Sequence, residues 1–492
     1  MLKHYAIAFM ATLISISVSS AYAELSQSIV DPLGSAVPPA SEVDSTVLQR
    51  RLLKSELDTE APLMIDPSED GWWLQFHDPI LTDLIKTTAQ NNLNLRTALH
   101  SIESSRYALQ MIKSGYYPTV SASALYQKGQ TSGATMHGHT TSPVRENFMG
   151  LSLDLNWEID VFGRIRKQSE AAGATYNASR AEYMATLTSL CAQVASVYFD
   201  LAAARQLHAT AISHLESQNR VLDITNARLE AGISSKLDVS QARTVVLDTK
   251  STIPSLRSRI ESDIDLLALL TNSDRSTIVS TVSSAKLPEC EMSMASAIPA
   301  DLIRRRPDIA EAEYNLAAAA ARAGLAKKQW LPILTLTGSV GTESHAVKNL
   351  FSGNSLTYSI TPTLAWTVFD GFSRKYSIAE AKADVLAAAD NYEYTLASAR
   401  QEVSTYNTEY SCLLDEIEIL NEAAKQSQES LNLSLELYKS GLSDFTNVMD
   451  AQISWLNYEN SVISAKCNAL STLTTLYRAM GGGWNGTLPE LK

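Results

Sequence analysis

The stretch that decides the fold is Gly232 followed by Leu237-Asp238-Val239-Ser240-Gln241-Ala242, because a second copy of it occurs later in the chain. The second copy is Gly441 followed by Val448-Met449-Asp450-Ala451-Gln452. The residue numbers of the two glycines differ by 209 (441 − 232), and those of the two alanines differ by the same amount (451 − 242). A motif that returns at one fixed spacing indicates an internal duplication.

The duplication extends upstream of the two glycines. The numbers of Trp157 and Trp366 also differ by 209 (366 − 157), whereas those of Pro118 and Pro332 differ by 214 (332 − 118). The first copy therefore holds five more residues between its proline and its tryptophan (214 − 209), and we expect a loop there.

The two ends of the chain lack this repeated pattern. Residues 1–23 have the features of a secretory signal peptide, namely an early lysine, an apolar run and an Ala-Tyr-Ala site. Residues 24–70 contain several prolines and are predicted to form an extended arm, with a disordered leader as the alternative. Between these segments and a tail at residues 485–492, we expect two structural repeats, 71–285 and 286–484, in one elongated architecture.

Charge and cysteine usage exclude several partner classes. The net charge is −13 and the charged residues are scattered, which disfavours a nucleic-acid partner. The four cysteines have no metal-ligand spacing, so we expect no metal site and no cofactor. None of them follows the signal segment, so the sequence offers no acceptor for N-terminal lipidation.

Two of the cysteines are placed almost symmetrically about the second glycine turn. Counted from Gly441, Cys412 lies at −29 (412 − 441) and Cys467 lies at +26 (467 − 441). In an antiparallel hairpin this mismatch of three residues corresponds to about 4.5 Å of helical rise. The spacing therefore allows a disulfide, and the alternative is two separately buried thiols.

Each repeat contains a long interval without proline, between Pro143 and Pro254 and between Pro362 and Pro489. Both intervals are rich in Ala, Leu, Glu and Gln, so long helices are permitted there. In the first repeat the predicted long helix is Arg166–Leu229, followed by a shorter helix over 238–270. In the second repeat the corresponding helices are Arg374–Lys439 and 446–480. A further helix precedes the long helix in each repeat, at Leu81–Ser114 and at Pro307–Trp330. Because glycine supplies the left-handed cap at which a chain reverses, each repeat is predicted to end in a helical hairpin.

Short runs of alternating polarity lie between these helices. The clearest runs are Leu151–Asp160 and Tyr358–Phe369, and weaker versions occur at Pro118–Gln127 and Ile333–Thr342. Runs of about ten alternating residues are typical of membrane β-barrel strands. The alternative for a single run is an amphipathic sheet on a soluble core.

The number of strands determines the assembly. One chain offers four predicted strands, whereas an outer-membrane barrel needs at least eight and must close, because an open edge in lipid leaves backbone groups unpaired. Two chains would give eight strands with a filled bore, and three would give twelve with room for a channel. We therefore predict a mostly α-helical chain that contributes four strands to a shared barrel and long hairpins to a helical tube.

Four motifs, in order along the chain, resemble those of the TolC-like outer-membrane efflux family, NodT-type branch. They are Gly71-Trp72-Trp73 with Phe76 and Asp78-Pro79, Trp157-Glu158-Ile159-Asp160-Val161-Phe162-Gly163-Arg164, Ile298-Pro299-Ala300-Asp301-Leu302-Ile303-Arg304-Arg305-Arg306-Pro307-Asp308-Ile309, and Gly481-Gly482-Gly483-Trp484. The resemblance implies a homotrimer whose twelve strands form a pore in outer-membrane lipid and whose helices form a periplasmic α-barrel. It also implies a periplasmic adaptor and an inner-membrane pump as partners.

The resemblance also points to a gate at the hairpin tips. The positions that match the family's gate are Asp238, Tyr438 and Asp450, and Asp444 is a nearby candidate. On a threefold axis these carboxylates would form an anionic ring that favours cations, and Tyr438 would donate to Asp238 across neighbouring hairpins. The alternative is that Asp238 and Asp444 only cap the helices that follow the glycines. Ser443 stands where some members carry a basic gate residue.

The turns themselves are the expected adaptor contacts. In the first repeat the candidates are Gly232, Ile233 and Lys236. In the second they are Gly441, Leu442 and Ser443. The alternative is that both turns are ordinary loops.

Two further features concern substrate binding. Met136, His137 and His139 carry side chains of types that bind copper, but we interpret them as part of a plain loop, with copper binding as the alternative. We interpret Arg304, Arg305 and Arg306 as structural partners of acidic residues, with substrate binding as the alternative.

Other functional classes fit the sequence less well. An enzyme would need a convergent nucleophile, base and oxyanion site, and the sequence has no GxSxG or HExxH pattern. A surface adhesin or stalk would need sustained heptads, which the small-residue helices lack. The sequence therefore predicts an exit duct for efflux, with drug, metal or type I protein export left open.

Overall fold

The computed structural model of the chain describes residues 71–131, 144–289 and 306–482. The predicted signal peptide, the arm over residues 24–70 and the tail over residues 485–492 lie outside these ranges. The described residues lie in one unit of the chain and alternate between helices and short strands.

A short 3₁₀ helix, Trp72–Phe76, precedes eight α-helices and four β-strands in the described part of the chain. In chain order these are α1 Pro79–Asn91, α2 Leu93–Lys113, β1 Thr119–Thr131, β2 Val144–Ile159, α3 Arg164–Glu230, α4 Lys236–Thr271, α5 Arg275–Thr281, α6 Pro307–Lys328, β3 Ile333–Ser344, β4 Leu356–Ala365, α7 Ser373–Lys439 and α8 Phe445–Ala479. Helix α3 packs along α4, α6 and α8, and α7 packs along α6 and α8.

The two long helices confirm the internal duplication. Both α3 and α7 contain 67 residues. Their first residue numbers differ by 209 (373 − 164), and so do their last (439 − 230). Helices α4 and α8 start with the same offset (445 − 236). The period found in the sequence is therefore a period of the structure, and each repeat ends in a helical hairpin.

The helix predicted over Leu81–Ser114 is instead two helices that meet at Asn92. Asn92 is extended, with φ −62° and ψ 130°, and its side-chain oxygen accepts from the amide of Asn94 at 2.9 Å. Its side-chain Nδ2 donates to the carbonyl oxygen of Leu270 at 2.7 Å. The prediction of one helix was wrong because the side chain of Asn92 caps α2 and binds α4 at the same time.

The main hydrophobic core surrounds the middle of α3. Tyr198, Phe199 and Leu201 on α3 are fully buried, together with Leu267 of α4 and Leu470 of α8. One 18-residue window of α3 is apolar enough to cross a membrane, but 78% of it is buried inside the chain. That burial is typical of a core helix.

The described residues form one antiparallel sheet of four strands in the order β1-β2-β3-β4, which confirms the four predicted strands. The strand predicted over Tyr358–Phe369 is shorter than expected and ends at Ala365. Ala365 pairs with Ile333, the first residue of β3. Trp366 and the residues after it therefore have no partner on that neighbouring strand.

The register gives the sheet one polar and one apolar face. One cross-strand row contains Ser121, Asp154, Ser339 and Ser359, and it carries hydrogen bonds such as that between Ser339 and Ser359 at 2.8 Å. The adjacent row contains Ala122, Leu153, Val340 and Tyr358. Because side chains alternate between faces, the two rows lie on opposite faces, as the alternation predicted.

The suggested disulfide between Cys412 and Cys467 is not formed. Cys412 is exposed, whereas Cys467 is buried and its Sγ lies 3.6 Å from Oδ1 of Asp200. The two thiols therefore lie in different surroundings. The alternative of two buried thiols was right for Cys467 and wrong for Cys412.

Arg306 is structural, as predicted, and it joins the start of α6 to α7 and α8. Its guanidinium donates to Asp308 at 2.7 Å, to Glu402 at 2.9 Å and to the carbonyl oxygen of Ala479 at 3.0 Å. The side chain is only 9% exposed, so these three acceptors satisfy a buried cation.

Candidate functional site at the helical hairpin tips

Both hairpins reverse direction at the same kind of turn. Gly232 has a φ of +74° and Gly441 a φ of +73°, a region that a residue without Cβ adopts at little cost. The next amide, that of Ile233 or Leu442, donates to a carbonyl oxygen five residues back at 2.9 Å in each repeat. This bond satisfies a carbonyl at the end of the long helix and closes the two hairpins alike.

The side chains of the turns are largely exposed. Ile233 is 66% exposed and Leu442 is 77% exposed, although both are apolar. Lys236 and the two glycines are also exposed, and Ser443 is half-buried. These two exposed apolar side chains are available for contact with another protein. The adaptor role of the turns stays a prediction.

Asp238 completes a capping box at the start of α4. The Oγ of Ser235 accepts from the amide of Asp238 at 3.2 Å, and the Asp238 carboxylate accepts from the amide of Ser235 at 3.3 Å. The hydroxyl of Ser234 also donates to the Asp238 carboxylate, at 2.7 Å. Asp238 therefore caps its helix, and its role in a gate stays a prediction.

These hydrogen bonds stabilise the negative charge of Asp238. Partial burial acts to raise the pKa of the carboxyl, but hydrogen bonds from Ser234, Ser235 and the backbone outweigh it. The pKa of Asp238 therefore lies below its ordinary value, and the group carries a full negative charge at neutral pH.

Tyr438 lies near the end of α7 and is buried, with only 3% of its surface exposed. Its ring packs edge-on against Phe445, with 5.4 Å between ring centroids. The guanidinium of Arg228 from the first repeat lies 4.6 Å from the ring centroid and donates to the carbonyl oxygen of Lys439 at 2.9 Å. A cation from one repeat thus covers the tyrosine and the helix end of the other.

A single serine connects the two predicted gate residues. The Oγ of Ser234 lies 2.7 Å from Oδ2 of Asp238 and 3.2 Å from the hydroxyl of Tyr438. A serine hydroxyl donates one proton and accepts others, so it can donate to the carboxylate while accepting from the phenol. The structure therefore joins Tyr438 and Asp238 through Ser234 within one chain, whereas we predicted a direct bond between neighbouring hairpins.

The other two acidic candidates lie on the surface. Asp444 occupies the N-cap position of α8, but its side chain makes no capping hydrogen bond there. Asp450 lies further into α8, and both residues are exposed. Their carboxylates face away from the chain's own core, so they are not part of the network around Ser234.

Sequence reasoning missed Arg228 and Ser234. The pattern from Ser235 to Asp238 is a readable capping box, which would have directed attention to this turn. The bond between Ser234 and Tyr438, however, joins residues 204 positions apart. No local pattern marks Arg228, because its role depends on the packing of one repeat against the other.

No group of three or more His, Cys, Asp or Glu side chains that could hold a metal ion occurs in the described part of the chain. The copper candidates Met136, His137 and His139 lie outside that part.

The chain is similar to outer-membrane channels over most of its length. The model of the family described as outer membrane efflux protein matches residues 84–273 and 298–482. The antibiotic efflux pump outer membrane protein ArpC of Pseudomonas putida is 29% identical over 421 residues, which are 85% of this chain and 86% of ArpC. Outer membrane protein OprJ of Pseudomonas aeruginosa is 30% identical over 408 residues, which are 83% of this chain and 85% of OprJ.

A comparison with a solved structure also shows similarity to an outer-membrane channel. The structure of the outer-membrane channel OprN superposes on this chain with a TM-score of 0.81 at 27% identity, covering 92% of this chain and 99% of the OprN chain. Each segment matched by the family model contains one long helix and one of the two hairpin tips.

Proposed function

The chain belongs to the outer membrane efflux protein family, and from this premise we propose that it is the outer-membrane exit duct of a tripartite efflux system for small organic molecules. In this assignment the sheet lies in the outer membrane and the long helices lie in the periplasm. The observation that carries the proposal is the four-stranded sheet, which has one apolar face and, among the described residues, two unpaired edges.

The sheet supports a shared barrel. Strands β1 and β4 each pair on one side only among the described residues, and exposed edges are not tolerated in lipid. Closing the sheet requires strands from other copies of the chain, and three copies supply twelve. With the row of Tyr358 facing lipid and the row of Ser359 facing inward, a homotrimer encloses a polar bore.

The helices support a duct that continues below this barrel. A helix of 67 residues is on the order of 100 Å long at about 1.5 Å per residue. Three copies of the two hairpins would surround one axis and extend the bore across the periplasm. The turns at Gly232 and Gly441 then lie at the far end of the duct.

We place the gate at these tips. The network of Arg228, Ser234, Asp238 and Tyr438 holds the first hairpin to the second within each chain. Asp444 and Asp450 remain exposed, so in a trimer their carboxylates are available to face the axis. The tip would then be both the narrowest part of the duct and the part where negative charge accumulates.

The proposed partners follow from the position of the tips. The exposed turns, with Ile233 and Leu442, are where a periplasmic adaptor would contact the duct, and an inner-membrane pump would deliver cargo to it. The cargo class is inferred from the similarity to ArpC, the outer membrane protein of an antibiotic efflux pump.

The assembly and the pore are tested together. Detergent-extracted protein from the outer-membrane fraction should sediment with the mass of three chains, and the same material should form ion-conducting pores in planar bilayers. A stable single chain that inserts fully in lipid would overturn the shared barrel. A trimer that never conducts, even with the tip network removed, would overturn the duct.

A further inference from the structure

A polar layer interrupts the packing of α3 against α8, roughly midway between the core around Phe199 and the hairpin tips. His214 of α3 is 2% exposed, and its Nε2 lies 2.5 Å from the carboxylate of Glu459 on α8. The ring of Trp455 lies 4.1 Å from the imidazole, centroid to centroid. One turn below His214 on the same face of α3 is Gln218.

Two buried amides in this layer have side-chain atoms that lack a hydrogen-bond partner among the described residues. They are Gln218, which is 2% exposed and unpartnered at both Nε2 and Oε1, and Gln452 of α8, which is 3% exposed and unpartnered at Nε2. We call His214, Gln218, Gln452 and Glu459 the middle polar layer. It spans about 10 Å along the interface of α3 with α8, which we call the seam, because Gln452 and Glu459 are seven steps apart on α8 at about 1.5 Å per step.

The middle polar layer separates two apolar clusters. On its tip side lies a cluster that contains Val221 of α3 and Tyr438 and Val448 of the second hairpin. On its other side lies the large core that includes Phe199 and Ile463. The tip cluster is therefore not continuous with the rest of the core along this seam.

The unpartnered atoms of the two amides destabilise the packing of α3 against α8. A buried amide atom that lacks a hydrogen-bond partner within the chain destabilises the packed arrangement, so a leucine of similar size would pack there at lower free energy. When α8 moves away from α3, Gln218 and Gln452 recover hydrogen bonds to water. The layer thus penalises the closed arrangement and lowers the free energy needed to separate the helices.

We propose that the middle polar layer is a built-in separation point, at which the tip of the second hairpin detaches from α3 while the seam above it stays packed. This inference rests on the proposed function of the tips as the gate of a duct. The pair of His214 and Glu459 keeps the two helices in register at the upper boundary of the part that moves.

The test replaces the amides with leucine in the full-length trimer. In the double variant Gln218→Leu with Gln452→Leu, amide hydrogen exchange in α8 between Phe445 and Gln452 should slow by about tenfold, which corresponds to about 1.4 kcal/mol at 25 °C. Exchange in α8 beyond Ile463 should stay unchanged. Pore opening in planar bilayers should become rarer by a similar factor.

The control is Gln206→Leu, because Gln206 lies on the exposed side of α3. That variant should exchange and conduct like the parent. Equal exchange in the parent and the double leucine variant would overturn the separation point.

If the leucine variant does not assemble, a charged side chain at position 218 provides a second test with the opposite expected effect. Gln218→Glu should speed exchange at the tip, and unchanged exchange would again overturn the inference. A trimer that forms no pores even with the tip network removed would instead overturn the proposed function, and the exchange measurement would still decide whether α8 separates from α3 at this layer.

Discussion

Trp157 and Trp366 make the same hydrogen bond in the two repeats. The indole Nε1 of Trp157 donates to the carbonyl oxygen of Tyr116 at 2.9 Å, and that of Trp366 donates to the carbonyl oxygen of Trp330 at 3.0 Å. Each acceptor lies two residues before the proline that precedes a strand of the same repeat. Each indole therefore ties the chain at a strand end to the end of the preceding helical segment, at the boundary between sheet and helices.

The first prediction follows from this pair. Trp157→Phe and Trp366→Phe should each lower the free energy of unfolding by about 1 kcal/mol, the net value of one hydrogen bond. Because the two sites are in different repeats, the double variant should lose close to the sum. Thermal unfolding of the detergent-solubilised protein measures this loss. Tyr126→Phe on β1 is the control and should cost nothing, and an equal loss there would mean that the indole bonds are not responsible.

The sequence determined the long elements because their causes are local or periodic. The absence of proline from 144 to 253 allows α3, and the alternation from Leu151 to Ile159 places the polar and apolar rows on opposite faces of the sheet. Because the two copies have one fixed spacing, a secondary-structure prediction for one repeat also applies to the other. These predictions needed no knowledge of which helix packs against which.

The parts that the sequence did not predict depend on contacts between distant segments. Asn92 breaks a helix that its neighbours favour, because its side chain also reaches the carbonyl of Leu270. Ser234 connects Asp238 to Tyr438 only because the two hairpins pack side by side. The spacing of Cys412 from the turn gave no information on how its side chain is oriented around α7, and that orientation leaves its thiol exposed.

The second prediction concerns Arg306. Arg306→Ala removes a buried cation and leaves Glu402 and the carbonyl of Ala479 without their donor. The free energy of unfolding should fall by about 3 kcal/mol, in the range for breaking a buried ion pair. Arg306→Lys should recover only part of it, because an ammonium cannot reproduce the paired bonds to Asp308. The measurement is the shift in thermal midpoint.

Arg322→Ala is the matched control for this substitution. Arg322 lies on the same helix, α6, and its hydrogen bond to Thr175 is exposed. Its loss should change stability by less than about 0.5 kcal/mol. Equal destabilisation by the two alanine variants would show that Arg306 is not the junction of α6, α7 and α8.

The third prediction is a pH dependence at Asp263. Partial burial and the neighbouring carboxylate of Asp200 raise the pKa of Asp263 to about 6, although Arg259 lowers it somewhat. An ordinary aspartate titrates near pH 4, at about 3.9, so the folded chain binds the proton more tightly than the unfolded chain. This group therefore favours the folded state most at pH 4 and below, and that contribution is lost as pH rises from about 4 through 6.

Asp263→Asn should remove this dependence. The variant should be more stable than the parent by about 1 kcal/mol at pH 7, allowing for solvent screening of a half-buried group. At pH 4 the two proteins should unfold at the same temperature. Asp248→Asn, at an exposed position on α4, should show no such difference. A pH-independent gain in Asp263→Asn would mean that packing, and not ionisation, is responsible.

The last prediction tests the network at the hairpin tips. Ser234 contacts both Asp238 and Tyr438, so Ser234→Ala should break two hydrogen bonds, whereas Tyr438→Phe should break one. With about 0.5–1.5 kcal/mol per bond, single-channel recordings in planar bilayers should show opening about threefold to tenfold more often in Tyr438→Phe, and more often still in Ser234→Ala. Ser240→Ala is the matched control, because Ser240 is exposed on α4 and should leave opening unchanged. If Ser234→Ala and Tyr438→Phe both conduct like the parent, the network only caps and packs the turns, and the gate must lie with the exposed carboxylates of Asp444 and Asp450.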